Sequence, residues 1–228
     1  MKKIFTLILA LVAVASSAMA LEYEPESGLT YQAQFGMNIS NFRGTAIGTD
    51  PKPGFNLGVR AEYMLPGCAG VYLNAGALYG MKGAQIDAIG ATLKARACYA
   101  EIPIHVGFRY NLADNLGIYG EVGPYFSMGI NGKNSTTVSA DGTWVKEFEV
   151  SYNLFSSHDD KPYFQIWDFG FGFRIGAEYE NHYSLSVGMD WGITDMFRDK
   201  YRDKMADNDI PLDMAHNYNT YITLGYRF

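Results

Sequence analysis

The stretch TYITLGYRF, residues 220–228, sets the reading of the whole chain. Thr220, Ile222, Leu224, Tyr226 and Phe228 fall on one face of an extended backbone, and Tyr221, Thr223, Gly225 and Arg227 on the other. An apolar face that repeats every second residue marks a strand half immersed in a nonpolar medium. The same period recurs upstream. Tyr183, Leu185, Val187, Met189, Trp191 and Ile193 alternate with small or polar residues, and Phe169, Phe171, Phe173, Ile175, Ala177 and Tyr179 alternate with Asp168, Gly170, Gly172, Arg174, Gly176 and Glu178.

Five more segments complete a set of eight, each long enough for the roughly 9 to 11 residues with which a tilted strand crosses a bilayer. They begin near Leu29, Phe55, Val71, Ala91 and Leu116. The segment from Ala91 to Tyr110 changes phase: Leu93, Ala95, Ala97 and Tyr99 share odd parity, whereas Ile102, Ile104, Val106, Phe108 and Tyr110 share even parity. Either a β-bulge near Tyr99 to Pro103 switches the faces, or residues 91 to 98 project beyond the lipid. Connections alternate in length: 43 to 54, 83 to 91, 131 to 162 and 196 to 216 are long, and 66 to 70, 111 to 115 and 180 to 182 are brief. The longest of them, 131 to 162, is expected either to be mobile or to form a short hairpin around Val145 to Leu154.

The expected fold is therefore all-β, an eight-stranded antiparallel up-and-down transmembrane β-barrel. Mean hydropathy of −0.10 and the lack of an 18-residue apolar run after the leader agree with it, because a barrel alternates lipid-facing and lumen-facing side chains and averages to a soluble-looking value. A soluble barrel of lipocalin type would turn its apolar face inward. The Gly-rich polar face, with Gly36, Gly58, Gly76, Gly170, Gly172, Gly176, Gly188 and Gly192, suits a crowded interior better than a water-facing surface. Outward Tyr63, Tyr79, Tyr110, Trp191 and Tyr226 suit interfacial girdles.

Met1-Lys2-Lys3, the apolar run Ile4 to Ala15 and Ala18-Met19-Ala20 read as a signal peptide over 1–20, cleaved between Ala20 and Leu21. Residues 21–228 then form one barrel domain. Loss of Lys2 and Lys3 from the 18 basic residues leaves 16 against 24 acidic ones, a formal charge of −8 that disfavours nucleic acid as a partner. Cys68 and Cys98 pass through an oxidising compartment. Hairpin counting sets Cys98 opposite residues near Ala75, roughly 20 Å along the strand from Cys68 and too far for a bridge.

Ten charged residues fall on the inward parity: Arg60, Glu62, Glu101, Arg109, Glu121, Asp168, Arg174, Glu178, Asp190 and Arg227. An eight-stranded barrel is just wide enough inside for its own side chains, so these read as a lumen-filling polar network, with Arg174 diagonal to Asp190 and in contact with it. His105 joins them by parity, His182 falls in a brief turn, and His158-Asp159-Asp160 with His216 form the one loop cluster that could bind a metal or activate water. Adjacent loop charges of that kind are ordinarily solvated. No phosphate loop, zinc spacing or nucleophile elbow occurs. The expectation is a non-enzyme without cofactor, with a small pore or a lipid or peptide hydrolase as alternatives.

VYLNAGALYGMKGA (71–84), YAEIPIHVGFRY (99–110), DFGFGFRIGAEYE (168–180) and the GYRF ending resemble the Bacteroidota outer-membrane β-barrel family called PorT-like. The resemblance implies a monomeric eight-stranded barrel in the bacterial outer membrane, surrounded by lipid. It also implies insertion by the barrel-assembly machinery through a signal that includes Tyr226 and Phe228. The namesake is an accessory of a protein-secretion system, so an extracellular or envelope protein partner is implied as well.

Overall fold

The computed structural model describes residues 28–44, 49–88, 91–140, 143–150, 155, 165–198 and 214–228. Alternation produces strands at each expected place: β1 (Leu29–Arg43), β2 (Asp50–Met64), β3 (Val71–Ala88), β4 (Ala91–Ala113), β5 (Leu116–Ala140), β6 (Thr143–Val150), β7 (Trp167–Tyr179), β8 (Tyr183–Gly192) and β9 (His216–Arg227). All pairings are antiparallel, in the order β4-β3-β2-β1-β9-β8-β7-β5-β6, and the pairing of β4 with β5 closes the ring. Eight strands form the barrel. β6 stands outside it, hydrogen-bonded to the far end of β5 beyond the stretch that β7 occupies.

The polarity of the wall is the reverse of a soluble protein's. Leu224, Ile39 and Phe35 are 63 %, 57 % and 56 % exposed, while Arg174 and His105 are 1 % exposed. With the greasy side outward and the charges inside, the lipocalin-type alternative is excluded.

Brief turns close one end. Between β7 and β8, Glu180 and Asn181 both adopt positive φ (52° and 59°), and the His182 N–H donates to Tyr179 O at 3.1 Å. Positive φ at both central residues gives the turn the twist that suits the flanking strands. Between β2 and β3, Gly67 and Gly70 take the left-handed positions. The two ends of the described chain meet at the same rim, where Phe228 N–H donates to Tyr31 O at 2.9 Å and β1 pairs β9 from Gln32↔Arg227 to Arg43↔His216.

At the other end, strands replace much of what the sequence suggests are loops. Segments 83 to 88 and 91 to 98 are continuous sheet in β3 and β4, and β5 runs to Ala140. A hairpin does form within the longest connection, but it pairs Asn134–Ala140 of β5 with Thr143–Val150 of β6 and so lies earlier than the Val145 to Leu154 expected for it; residues 151–154 lie outside the described ones.

The phase change in β4 does not come from a bulge in that strand. Ala97 and Tyr99 are 1 % exposed, on the same inward face as Glu101 and His105, so odd residues point inward along the strand and β4 carries no face switch. They are apolar because the lumen itself turns apolar there. Phe42, Ala84, Ala97, Tyr99, Phe155, Met196 and Ala215 pack as a cluster under the long-loop end. The irregularity sits in β5 instead: Cys98 pairs Asn131 but Tyr99 pairs Gly129, leaving Ile130 as the extra residue of a bulge.

Cys98 lies opposite Met81, six residues beyond the Ala75 expected from counting. Both thiols are free, and the greater offset separates them further.

Candidate functional site

Inward tyrosines and glycines explain how so narrow a tube holds large side chains. Tyr72 pairs Gly107, Tyr119 pairs Gly176, Tyr125 pairs Gly170, and Tyr221 pairs Gly188, each directly across a strand pair. A Cβ on any of these glycines would meet the ring of its tyrosine. Each ring therefore lies flat over a bare backbone and leaves the centre of the tube to the charged groups.

Those groups stack in layers. At the short-turn end, Arg227 donates Nη2–H to Glu62 Oε2 at 2.6 Å and Nη1–H to Glu178. Arg109 Nη2 lies 2.7 Å from Glu62 Oε2 and 3.3 Å from Glu178 Oε2, with its guanidinium 4.8 Å from the centre of the Tyr72 ring.

The middle layer is built on Glu121. Arg174, directly opposite on β7, grips it with two prongs, Nη2 to Oε1 at 2.7 Å and Nε to Oε2 at 3.0 Å. Tyr72 OH at 2.9 Å and Asn74 Nδ2 at 3.1 Å also donate to Oε1; Arg60 Nη1 and His105 Nδ1 approach Oε2 at 3.7 and 3.5 Å. Gln34 Oε1 accepts from both Arg60 (2.7 Å) and Arg174 (3.2 Å), holding the two like charges apart.

Above it, Lys82 Nζ lies 2.5 Å from Glu101 Oε2, which also accepts from Ser127 at 2.9 Å. The ammonium stands 4.7 Å from the centre of the Tyr125 ring. Asp168 accepts from Tyr125 OH and Asn217, and Asp190 accepts from Asn219 at 3.1 Å. The space left between these layers is a cavity of about 20 Å³, lined among others by Arg60, Lys82, Glu101, His105 and Asp190. Such a volume holds one or two water molecules.

The structure places all ten sequence-selected residues inside, Arg60, Glu62, Glu101, Arg109, Glu121, Asp168, Arg174, Glu178, Asp190 and Arg227 being buried to 7 % exposure or less. One pairing differs. Arg174 is diagonal to Asp190, since Arg174 pairs Gly188 and Asp190 pairs Gly172, yet its guanidinium turns the other way, to Glu121 on β5. A carboxylate directly opposite permits a two-pronged grip that a diagonal one does not. Sequence reasoning left Lys82 out, although it shares parity with Asn74 and Gly76; Tyr72, Asn74, Gln34 and Ser127 carried the same signal.

His182 and His216 each bond to a backbone carbonyl. His182 Nδ1 lies 2.8 Å from Arg227 O with its ring stacked on Tyr226, and His216 Nδ1 lies 3.1 Å from Thr194 O. His158, Asp159 and Asp160 lie outside the described residues, and among the described residues no three His, Cys, Asp or Glu converge as a metal site would require.

Solved structures with similar architecture include the attachment invasion locus protein Ail of Yersinia pestis in complex with the heparin analogue sucrose octasulfate (12 % identity, 87 % of this chain and 99 % of that one, TM-score 0.41). Neisserial surface protein A (13 %, 89 % and 98 %, 0.41) and OprG of Pseudomonas aeruginosa (11 %, 89 % and 96 %, 0.46) are similar to the same extent. No curated protein matches the chain. The profile of the outer membrane protein beta-barrel domain matches residues 6–228, nearly the full length, and the chain accordingly belongs to that family and resides in the bacterial outer membrane.

Proposed function

We propose that the protein is a monomeric, non-conducting barrel whose work is done outside its wall: the transmembrane part anchors the protruding ends of β3, β4, β5 and β6, which bind an extracellular or envelope protein partner. The filled lumen carries this reading. A free space of about 20 Å³ is enough to hydrate a few polar atoms, not to pass a solvated ion. Counting Lys52, six buried cations face six buried carboxylates among the described residues, so the interior has no excess charge to select ions by. Phe155 and Met196 close the extracellular mouth over Tyr99. No catalytic role is part of the proposal.

The same reading takes residues 1–20 as a leader removed between Ala20 and Leu21, and Tyr226 with Phe228 as the recognition ending for the barrel-assembly machinery. The PorT-like motifs support a place in that subgroup, with docking to a secretion apparatus as the form its partnership takes. The protein reconstituted in planar bilayers should give no discrete current steps; reproducible steps of one amplitude would establish a pore and overturn the proposal. Crosslinking in intact cells identifies the partner, and amino-terminal sequencing of the membrane form locates the cleavage.

A further inference from the structure

The apolar outer wall is interrupted at Gly120, which faces outward on β5. Phe108 of β4 and Ile175 of β7 flank it in register, and a Cβ built there would meet only Ile175 Cγ2 and Arg174 O, at 3.9 and 4.0 Å. The missing side chain leaves a hollow of about 560 Å³ walled by Phe108, Tyr110, Ile118, Ile175, Leu185 and Val187.

Its height fixes which leaflet it meets. Tyr110 pairs Ile118, and Tyr179, 48 % exposed, pairs both Leu116 and Tyr183. These phenols mark the aromatic belt at the brief-turn end, which is the periplasmic one in outer-membrane barrels. Gly120 lies four residues past Leu116, roughly 10 Å deeper along a strand tilted about 40°. Half of the hydrocarbon core is about 15 Å, so the hollow opens onto acyl chains of the periplasmic leaflet.

The rim beneath the hollow selects a headgroup. The β4–β5 turn carries Asp114 and the β7–β8 turn carries Glu180, whose N–H donates to Asn115 O at 2.8 Å and ties the two turns together. Both acidic side chains are exposed, and among the described residues neither is ion-paired. The described residues of this rim expose no Lys or Arg, because Arg109 and Arg227 are turned into the lumen. Such a rim attracts an ammonium and repels a net anionic headgroup.

We propose that the hollow over Gly120 and the carboxylates of Asp114 and Glu180 form a binding site for an aminophospholipid of the periplasmic leaflet, with one acyl chain seated between Phe108 and Ile175 and the ammonium at the rim. The site is independent of the protein-partner reading, because it occupies the opposite half of the wall.

The test is native mass spectrometry of the full-length protein in detergent, titrated with phosphatidylethanolamine and with phosphatidylglycerol of the same acyl chains. An exposed ion pair contributes up to roughly fivefold in affinity, so with two carboxylates at the rim phosphatidylethanolamine should bind about fivefold or more tightly. Gly120→Leu fills the hollow and should weaken both lipids by roughly fivefold or more, the cost of forcing a chain into an occupied seat. Asp114→Asn with Glu180→Gln should erase the preference between the two lipids. Ala33→Leu, on the outer face of β1 across the barrel, should change nothing. Equal affinity of the two lipids for the wild type, unchanged binding in Gly120→Leu, an equal loss in Ala33→Leu, or a preference that survives the rim variant would overturn the site. A wild-type dimer dissolved by Gly120→Leu would give the hollow to a second copy and overturn it likewise. Folding of each variant is checked by its heat-dependent gel mobility. If Gly120→Leu does not fold, Val187→Phe fills the same hollow from β8 and serves in its place under the same criteria.

Discussion

Replacing Glu121 with Gln tests the organisation of the lumen most sharply. The substitution keeps the side chain's volume and removes one negative charge from a site where Arg174 grips it at 2.7 and 3.0 Å and Arg60 stands at 3.7 Å, all essentially without water contact. One carboxylate oxygen is also replaced by an NH2 donor aimed at other donors, because Tyr72, Asn74 and Arg174 all point hydrogens at this group. Breaking a buried pair from one side costs about 3 to 5 kcal/mol. For a chain of this length each kcal/mol lowers the unfolding midpoint by about 2 to 4 °C, so the gel-mobility transition should fall by roughly 10 °C. Asp190→Asn is the control. Asp190 accepts from Asn219, and the amide oxygen of Asn can accept the same bond, so its cost should stay near about 1 kcal/mol. A larger loss for Asp190→Asn than for Glu121→Gln would refute the assignment of Arg174 to Glu121 and restore the diagonal pairing.

Gly176→Leu and Gly188→Leu should each destabilise the barrel by about 1 to 3 kcal/mol in urea titrations, since the tyrosine ring must leave its seat; Gly120→Ala, whose added carbon meets only Ile175 and Arg174 O at ordinary contact distance, should be tolerated. Phe155→Ala should expose the extracellular mouth: in a Cys68→Ser, Cys98→Ser background, Ala97→Cys should react with a charged thiol reagent several-fold faster when Phe155 is removed, and an equal rate would deny Phe155 its capping role. The folded wild-type protein should run on non-reducing gels as a species with two titratable thiols and no internal disulfide.

Parity carried the architecture, because lipid on one side and a crowded tube on the other force every second residue into one chemical class. Leu224, Phe173 and Ile104 could hardly be placed otherwise. The same rule leaves Ala97 and Tyr99 ambiguous, since apolar no longer means outward where the interior becomes apolar beneath Phe155, and of its two readings the bulge in β4 is the one the register excludes. Register was legible across brief turns, which is why Arg174 was correctly set diagonal to Asp190. Its true partner belongs to β5, reached only past the long β5–β7 connection and displaced in sequence by β6, and hairpin counting does not extend across such a gap. Lys82 is faint in the sequence because its neighbours Met81 and Gly83 give little contrast to its parity.

The seam between β1 and β9 sets the order in which the molecule can come into being. Arg60 and Glu62 arise early in synthesis, but the groups that neutralise them, Arg109, Glu121 and Arg227, are contributed by β4, β5 and the last strand. A half-made sheet inserted in hydrocarbon would carry uncompensated charge together with an open edge of unpaired amides. No stable way-station exists for it inside the bilayer. The nascent polypeptide must be held unfolded until its final residues are available, and curling, sealing and neutralisation then become a single cooperative event.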